Sequence, residues 1–515
     1  MEFRMHNERS AGILLHITSL PGPFGIGDTG PAAYKFADQL AEAGQRYWLM
    51  LPLNPVREPD FSPYSCIGSM AGNTLLISPE KLMDDGLLKE DDIAPFRIKS
   101  KEQVDFSAAA EIKAALLDKA YKSFQQQPGH PYHHSFRRFC DEQAHWLNDY
   151  ATYRVLCTHY DDKHWQEWDK DHYTRNCKLT NEQHLQLEKE QWGQFVFDLQ
   201  WKALKKYCNQ LGVLLFGDLP IYIHPAAADV WAHPDLFAID ETGNMTAVAG
   251  VPPDYFNSKG QLWQMPVYNW DKLKEQNYDW WIRRIMRNLE WFDVLRLDHF
   301  RAFSAYWQIE AGESSAVNGK WVPGPANDFF DALHRAFPDL PLVAEDLGII
   351  DDPVRKLRDD YDIPGMRILQ FAFGEDMAGS EYIPHRLTPN AVLLPGTHDN
   401  DTTRGWFKSA DKTIRRNFRS YIGERVIARN AAEVMSRIAY AAVCNTVILP
   451  MQDIIGLPAS ARMNNPAGGK GNWTWRMLPG QFKRKMIKRL KQWAEIYGRK
   501  SINSTGTSQI HTPAD

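Results

Sequence analysis

The chain has 515 residues, and 59 Lys and Arg against 64 Asp and Glu leave a formal net charge of -5. This near balance, without long runs of one sign, argues against a nucleic-acid or anionic-membrane partner. No stretch of roughly 18 apolar residues predicts a membrane-spanning helix, and the charged start MEFRMHNERS does not resemble a signal peptide. We therefore expect a soluble, cytoplasmic protein. The 6 cysteines lack a C-x-x-C pair, which argues against a zinc site and against a disulfide framework.

Short apolar runs alternate with helical patterns along the chain. In chain order, the predicted strands are GILLHITSL (12–20), RYWLMLPL (46–53), GVLLFGDLPIYI (212–223), DVLRLDHF (293–300), PLVAEDLG (341–348), MRILQFAF (366–373), AVLLPGTHDN (391–400) and NTVILPMQDI (445–454). Strands that alternate with helices predict βαβ units. Eight strands that are apolar throughout favour a closed parallel barrel over an open sheet with exposed edges. We predict an α/β fold, a single (β/α)8 TIM-type barrel spanning 1–515.

Two intervals between predicted strands are too long for a simple crossover. Residues 54–210 separate the second and third strands, and residues 224–290 separate the third and fourth. Charged helical patterns such as SAAAEIKAALLDKAYKSF occur in the first interval. We therefore predict large, mainly helical insertions after strands two and three. Residues 502–515 are expected to form a disordered tail.

A glycine-rich stretch, GPFGIGDTGP, places Gly25, Gly27 and Gly30 at the G-x-G-x-x-G spacing of dinucleotide-binding folds. Such folds also need an acidic residue near the end of the next strand, which here reads WLMLPLNPV without a carboxylate. We interpret the stretch as a turn-rich loop at the barrel rim, which argues against an oxidoreductase. The later NPAGGKGNW fails as a phosphate loop, because Gly471 follows Lys470 where Ser or Thr is required.

Acidic residues stand where four of the predicted strands end. The carboxyl ends of the strands meet at one rim of a parallel barrel, where the active site forms. Arg296 and Asp298 are two residues apart in one predicted strand, so their side chains face the same side of it. A cation beside a carboxylate favours the ionised form. The four acids are Asp218, Asp298, Glu345 and Asp399, and His398 adjoins the last of them.

Converging carboxylates are the machinery of retaining glycoside chemistry. An ionised carboxylate attacks the anomeric carbon, and a protonated one delivers a proton to the leaving oxygen. A third carboxylate can hold ring hydroxyls more tightly in the transition state. Spacing alone does not assign these parts. The chain also has 18 Trp, 20 Tyr and 25 Phe, many in polar surroundings. A single Trp is best interpreted as part of the core of a large protein, whereas the set as a whole keeps a carbohydrate ligand in view.

Ordered motifs along nearly the whole chain resemble those of the 4-α-glucanotransferases, the amylomaltases or disproportionating enzymes of glycoside hydrolase family 77. These motifs are LPGPFGIGD, SPYS, AGNTLLISP, GDLPIYI, ADVWAHPDLF, AGVPPDYFNSKGQLW, LRLDHFRAF, VAEDLG, LPGTHDND, PMQDIIGL and ARMNNP followed by GNWTWR. The resemblance implies transfer of a 1,4-α-glucan segment to the 4-hydroxyl of an acceptor through a covalent glycosyl-enzyme. Maltooligosaccharides and other α-1,4-glucans would be substrates, glucose would be an acceptor, and no cofactor is implied.

The resemblance also implies roles for individual residues. Asp298 would be the nucleophile, Glu345 the general acid and base, and Asp399 the stabiliser of the transition state. Residues 250–260 resemble a mobile loop over the acceptor side, whose aromatic residues would favour transfer over hydrolysis. The residues implied to bind substrate are Tyr64, Asp218, Arg296, His398, Asp254, Tyr255, Phe256 and Trp263.

Departures from the family pattern lie at Ser65, at residues 224–228 and at Gln264 and Met265. All are near expected substrate subsites, so they leave the preferred lengths of donor and acceptor open.

Two other functions remain as alternatives. A plain α-glucan hydrolase would use the same acids with an acceptor site open to water. A catalytically inactive glucan-binding protein would usually have lost one of the three acids, all of which are present. The run HPYHHSF (His130, His133, His134) is a weak metal signal, because no companion acid accompanies its i, i+4 histidine pair.

Overall fold

The computed structural model describes residues 8–253, 258–468 and 470–499, so the tail expected at 502–515 lies outside the described residues. The strands are β1 (Ser10–Leu14), β2 (Tyr47–Leu49), β3 (Leu214–Leu219), β4 (Ala247–Val251), β5 (Gln261–Pro266), β6 (Val294–Leu297), β7 (Ala305–Glu310), β8 (Lys320–Pro323), β9 (Leu342–Ala344), β10 (Gly365–Ile368), β11 (Ala391–Leu394) and β12 (Thr446–Pro450).

The α-helices are α1 (Pro31–Glu42), α2 (Pro79–Asp84), α3 (Glu90–Ile93), α4 (Phe106–Gln125), α5 (Tyr132–Glu142), α6 (Ala144–His159), α7 (Lys170–Tyr173), α8 (Asn181–Gln210), α9 (Ala228–Ala232), α10 (Trp270–Glu275), α11 (Asp279–Trp291), α12 (Ala326–Ala336), α13 (Asp352–Asp360), α14 (Thr403–Ser409), α15 (Lys412–Ile422), α16 (Ala431–Ala441), α17 (Met451–Ile455) and α18 (Arg484–Ile496). Among the described residues, none of these helices combines the length and apolar character needed to cross a membrane.

Eight parallel strands close into a barrel in the order β1-β12-β11-β10-β9-β6-β3-β2. The first and last strands complete the ring, with Ser10 opposite Thr446 and Leu14 opposite Pro450. Every residue of β1, β11 and β12 is buried, as expected for barrel strands covered on both faces. Each predicted run overlaps one barrel strand, although β1 and β10 begin before their predicted runs, so the predicted (β/α)8 fold is confirmed.

The first insertion connects β2 to β3 through helices α2 to α8. The longest of them, α8, is capped by Thr180, the residue before it: the Thr180 hydroxyl accepts from the Gln183 amide, and the Gln183 side chain accepts from the Thr180 amide. From Trp192 to Cys208, one face of α8 is buried, and Trp201 Nε1 donates to the Trp291 carbonyl of α11 over 2.9 Å. The insertion is therefore packed directly onto the helical layer of the barrel.

A second sheet, which the sequence analysis did not predict, consists of four antiparallel strands in the order β5-β4-β7-β8. Along the chain, β4 and β5 come between barrel strands β3 and β6, whereas β7 and β8 come between β6 and β9. Two different connections of the barrel thus contribute to one sheet, with Ala249 opposite Gln308 and Trp307 opposite Trp321. Hydrophobic periodicity reports the local conformation of a segment and gives no information about pairing between distant segments.

The glycine-rich loop after β1 is a buried joint between the barrel and the first insertion. Gly25 has φ 82°, and a Cβ at Gly27 would collide with the Ile17 carbonyl oxygen. Asp28 accepts from the Gly30 amide over 2.9 Å and from Lys113 Nζ of α4 over 2.5 Å. The glycines therefore serve close backbone packing around a buried ion pair.

Lys113 is a test of this joint because its side chain is only 1% exposed and also donates to the Ile77 carbonyl. Burial lowers the pKa of Lys113, and the charge of Asp28 opposes that effect. We expect Lys113→Met to lower the free energy of unfolding by about 3–5 kcal/mol, because Asp28 is left as a buried, unpaired charge. Denaturant unfolding followed by tryptophan fluorescence measures the change.

The matched control is Lys119→Met on the same helix. Lys119 is 58% exposed and pairs with Asp92 at the surface. Its replacement should change the free energy of unfolding by less than about 1 kcal/mol. Equal effects of the two substitutions would show that the Asp28 pair does not stabilise the joint.

Candidate active site

The predicted acids follow the carboxyl ends of the barrel strands. Asp218 lies within β3, Asp298 directly follows β6, and Glu345 directly follows β9. These three strands are neighbours in the barrel, and Asp218 is in register with Arg296 of β6. Asp399 lies in the connection after β11, one strand beyond β10. Barrel closure therefore brings together residues that are up to 181 positions apart in the chain.

A cavity of about 2150 Å³ opens above these residues. Asp298, Glu345 and Asp399 line it, whereas Asp218 is buried beneath. Aromatic and polar side chains make up much of the remaining wall. Those used below are Tyr64, Arg296, His398, Trp263, Trp473, Arg462 and Asn464. A cavity of this size accommodates a chain of several sugar units rather than a single small molecule.

The guanidinium of Arg296 lies at the centre of the carboxylates. Its Nη1 donates to both oxygens of Asp218, at 2.7 and 2.8 Å, and lies 2.9 Å from Asp298 Oδ1. Its Nη2 is 4.0 Å from Glu345 Oε2. Burial acts to lower the pKa of Arg296, but Asp218 and Asp298 outweigh it and raise that pKa well above its ordinary value. Arg296 is therefore always charged, and its guanidinium lies close to Asp218 and Asp298 but farther from Glu345.

Asp298 and Glu345 have different pKa values, and the guanidinium of Arg296 lies closer to Asp298 than to Glu345. Burial raises the pKa of Asp298 to about 6, with Arg296 opposing the rise. Burial raises the pKa of Glu345 further, to about 8, because the guanidinium is more distant and the charge of Asp298 adds to the rise. The backbone amide of His299 donates to Glu345 Oε2 over 2.7 Å and orients that carboxyl group. At neutral pH one group favours the ionised form and the other the protonated form.

Tyr64 and His398 form a hydrogen-bonded pair beside the carboxylates. The Tyr64 hydroxyl donates to Asp218 Oδ2 over 2.6 Å, so its oxygen accepts from His398 Nε2 at 2.9 Å. Burial and the charge of Asp218 raise the pKa of Tyr64 well above its usual value, which keeps the proton on the hydroxyl. Burial lowers the pKa of His398, against the opposing charge of Asp399. The neutral imidazole therefore carries its proton on Nε2, 3.4 Å from Asp399 Oδ1.

Three further residues at the site were not singled out from the sequence. Asn464 Nδ2 donates to Asp399 Oδ1 over 2.6 Å, and Arg462 Nη2 donates to the Asp399 carbonyl. The Trp473 ring lies 5.7 Å from the Tyr64 ring and 5.9 Å from the His398 ring. All three belong to the stretch ARMNNP to GNWTWR, so the motif was visible. Their partners could not be inferred, because the contacts join this stretch to other connections of the barrel.

The acceptor-side residues expected from the sequence are only partly described. Trp263 of β5 lines the cavity, and its ring meets that of His299 edge to face at 4.8 Å. Residues 250–252, at the start of the expected loop, also line the cavity. Asp254, Tyr255 and Phe256 lie outside the described residues.

The departures at Ser65 and Met265 line the cavity, whereas residues 224–228 are not part of its wall. Gln264 has φ 59°, a left-handed conformation that favours glycine. Gln264 therefore adopts a backbone conformation that glycine adopts more easily than other residues.

Among the described residues, no group of three His, Cys, Asp or Glu side chains is arranged to hold a metal ion. The histidines of the HPYHHSF run lie in the first insertion. His133 and His134 are in the first turn of α5, and His130 lies two residues before this helix.

Comparisons with known proteins agree with this geometry. The family model described as 4-alpha-glucanotransferase, glycoside hydrolase family 77, matches residues 15–481. The 4-alpha-glucanotransferase of Synechocystis sp. is 41% identical over 96% of this chain and 99% of that relative. The 4-alpha-glucanotransferase of Aquifex aeolicus is 40% identical over 95% of this chain and 99% of that relative. The structure of the amylomaltase from Streptococcus agalactiae in complex with acarbose has a TM-score of 0.91 at 36% identity, and the match covers 96% of this chain and 100% of that chain.

The barrel and the carboxylates at its rim define an enzyme of the glycoside-processing class. The chain belongs to the 4-alpha-glucanotransferase family, glycoside hydrolase family 77. The family resemblance inferred from the sequence motifs is thereby confirmed.

Proposed function

We propose that the protein transfers a segment of a 1,4-α-glucan to the 4-hydroxyl of glucose or another glucan by a retaining double displacement. The observation that carries this proposal is the pair of carboxyl groups with different proton affinities at one cavity. Asp298 is held by Arg296, whereas Glu345 is farther from the cation and keeps its proton at neutral pH. Family membership supports the substrate class.

In the first step, a carboxylate oxygen of Asp298 bonds to the anomeric carbon of the donor. The bond between that carbon and the leaving oxygen breaks, and Glu345 transfers its proton to the leaving oxygen. In the second step, the acceptor 4-hydroxyl bonds to the same carbon while its proton passes to Glu345 and the ester to Asp298 breaks. Two inversions retain the α configuration and regenerate both groups.

The neighbouring residues position the reacting groups. Asp218 anchors Arg296, which holds Asp298 in place through a contact of 2.9 Å. Asp399, oriented by Asn464, would hold ring hydroxyls of the sugar more tightly as the ring flattens in the transition state. Tyr64 and His398 line the same part of the cavity. The Tyr64 ring, held there by the hydrogen bonds of its hydroxyl to Asp218 and His398, would bind a sugar face.

Transfer requires that a sugar hydroxyl outcompete water for the glycosyl-enzyme. A bound acceptor held in line reaches an effective molarity on the order of 10⁵ M or more, provided that the site is kept dry. Trp263 supplies apolar surface at the cavity wall. Tyr255 and Phe256 are proposed to act with it, as the resemblance implies.

Incubation with maltotriose tests the reaction class. We expect glucose and a ladder of longer maltooligosaccharides at a nearly constant number of reducing ends, because each transfer makes as many glycosidic bonds as it breaks. Chromatography resolves the products by length, and a reducing-end assay counts the chain ends. A rising number of reducing ends with only shorter products would show that water is the acceptor, and the hydrolase alternative would replace the proposal.

The roles of the two carboxyl groups can be separated with α-maltosyl fluoride, whose leaving group needs no proton. With maltotriose, Glu345→Gln should lower kcat by about 10²–10⁴-fold. With the fluoride, the same variant should release fluoride in the first turnover and accumulate a maltosyl ester on Asp298, detectable by mass spectrometry. Asp298→Asn should release no fluoride, because the nucleophile is missing.

The control for these substitutions is Glu381→Gln, an exposed carboxylate outside the cavity, which should retain both activities. An ester on a residue other than Asp298 would contradict the assignment.

The pH profile follows from the two raised pKa values. Activity requires Asp298 ionised and Glu345 protonated, so kcat/KM should rise through about pH 6 and fall through about pH 8. In Glu345→Gln, first-turnover fluoride release should keep the acidic limb and lose the alkaline limb. Initial rates between pH 4 and pH 10 measure both, and an alkaline limb that persists in the variant would assign it to another group.

A further inference from the structure

An indole at the cavity wall is stacked on a buried guanidinium. Trp321 of β8 is 40% exposed and lines the cavity that contains the carboxylates. The Cζ of Arg301 lies 3.8 Å from the centre of its ring, within cation–π distance. Arg301 itself is only 4% exposed.

The guanidinium is fixed from several directions. Its Nε donates to the Ala305 carbonyl over 3.3 Å, Nη1 donates to the Ile349 carbonyl, and Nη2 lies 3.3 Å from Asp351 Oδ2. Trp321 also meets Trp307, its partner across β7 and β8, edge to face at 5.2 Å. The indole is therefore held in place before any ligand arrives, which lowers the entropic cost of binding to it.

Chain connectivity limits how far this platform, Trp321 stacked on Arg301, lies from the reacting groups. Arg301 is three residues after Asp298, and its partner Ile349 is four residues after Glu345. Three and four residues of extended chain span at most about 11 and 14 Å. Ile349, like Trp321, lines the cavity with an exposed apolar side chain. Because the ring contacts of Trp321 are made with Arg301 and Trp307 rather than with the carboxylates, the platform is suited to a sugar unit other than the one that reacts.

The sheet that holds the platform relates it to the loop that the resemblance assigns to the acceptor side. Trp321 shares its four-stranded sheet with β4 and β5, whose connection contains the expected acceptor-side loop. The Ala316 amide, in the connection between β7 and β8, donates to the Lys259 carbonyl over 3.0 Å. The two connections are thus joined at Lys259, so the platform is linked to a described residue of the β4–β5 connection.

We propose that Trp321, stacked on Arg301, binds a glucose unit of the acceptor chain beyond the unit whose hydroxyl reacts. The flat, apolar face of an aromatic ring stacks on the C–H face of a pyranose. This platform favours acceptors longer than glucose. The inference rests on the proposed function, because it names a subsite of the proposed transfer reaction.

The experiment compares acceptors of different length with one donor, α-maltosyl fluoride, at a fixed saturating concentration. Two quantities are measured against the concentration of glucose and of maltotriose: fluoride release above that seen without acceptor, and the amount of transfer product resolved by chromatography. For Trp321→Ala, the ratio of kcat/KM for maltotriose to that for glucose should fall about three- to tenfold, the effect of one stacking contact. Trp321→Phe, which keeps an aromatic face, should restore most of the ratio.

Ile496→Ala, at an exposed side chain outside the cavity, should leave the ratio at the wild-type value. Melting temperatures show that the variants are folded, and Trp321→Phe keeps the test valid if Trp321→Ala is unstable. An unchanged ratio in Trp321→Ala, or an equal loss for both acceptors, would overturn the subsite. If the wild-type protein gives only hydrolysis with both acceptors, the proposed function fails and the subsite fails with it.

Discussion

The guanidinium of Arg296 is the cation on which the arrangement of the site depends. Three carboxyl groups from neighbouring barrel strands surround it, and each would be costly to ionise in a buried position without a counter-charge. Asp218 takes two hydrogen bonds, Asp298 takes one close contact, and Glu345 is left at 4.0 Å. The position of one cation thus divides three chemically similar groups into an anchor, an ionised group and a protonated group.

The separation of the pKa values of Asp298 and Glu345 lets two carboxyl groups act as a nucleophile and as an acid. Two groups of the same chemical type acquire different functions when their surroundings separate their pKa values. The hydrogen bond from the His299 amide orients Glu345 without supplying a full counter-charge. Tyr64 contributes from the first insertion, because its hydroxyl joins Asp218 to His398. The proposed mechanism therefore involves hydrogen bonds between barrel and insertion as well as the acids themselves.

The four-stranded sheet connects the proposed chemistry to the proposed acceptor specificity. It unites strands from the connections on either side of β6, the strand that precedes Asp298. Trp263 and Trp321 both belong to this sheet and both line the cavity. A rigid sheet can hold aromatic rings at defined distances from the reacting bond, which separate flexible loops would do less well.

The sequence by itself determined the barrel, the order of its strands along the chain, the family and the acids at the rim. These features are encoded in short apolar runs and in motifs whose residues are adjacent in the chain. The tertiary structure alone decided that Arg296 is shared unequally, that Tyr64 bonds to Asp218, that Asn464 orients Asp399, and that two distant connections form one sheet. Each of these depends on distances between segments far apart in the chain, and both charge–charge energies and hydrogen bonds vary steeply with such distances.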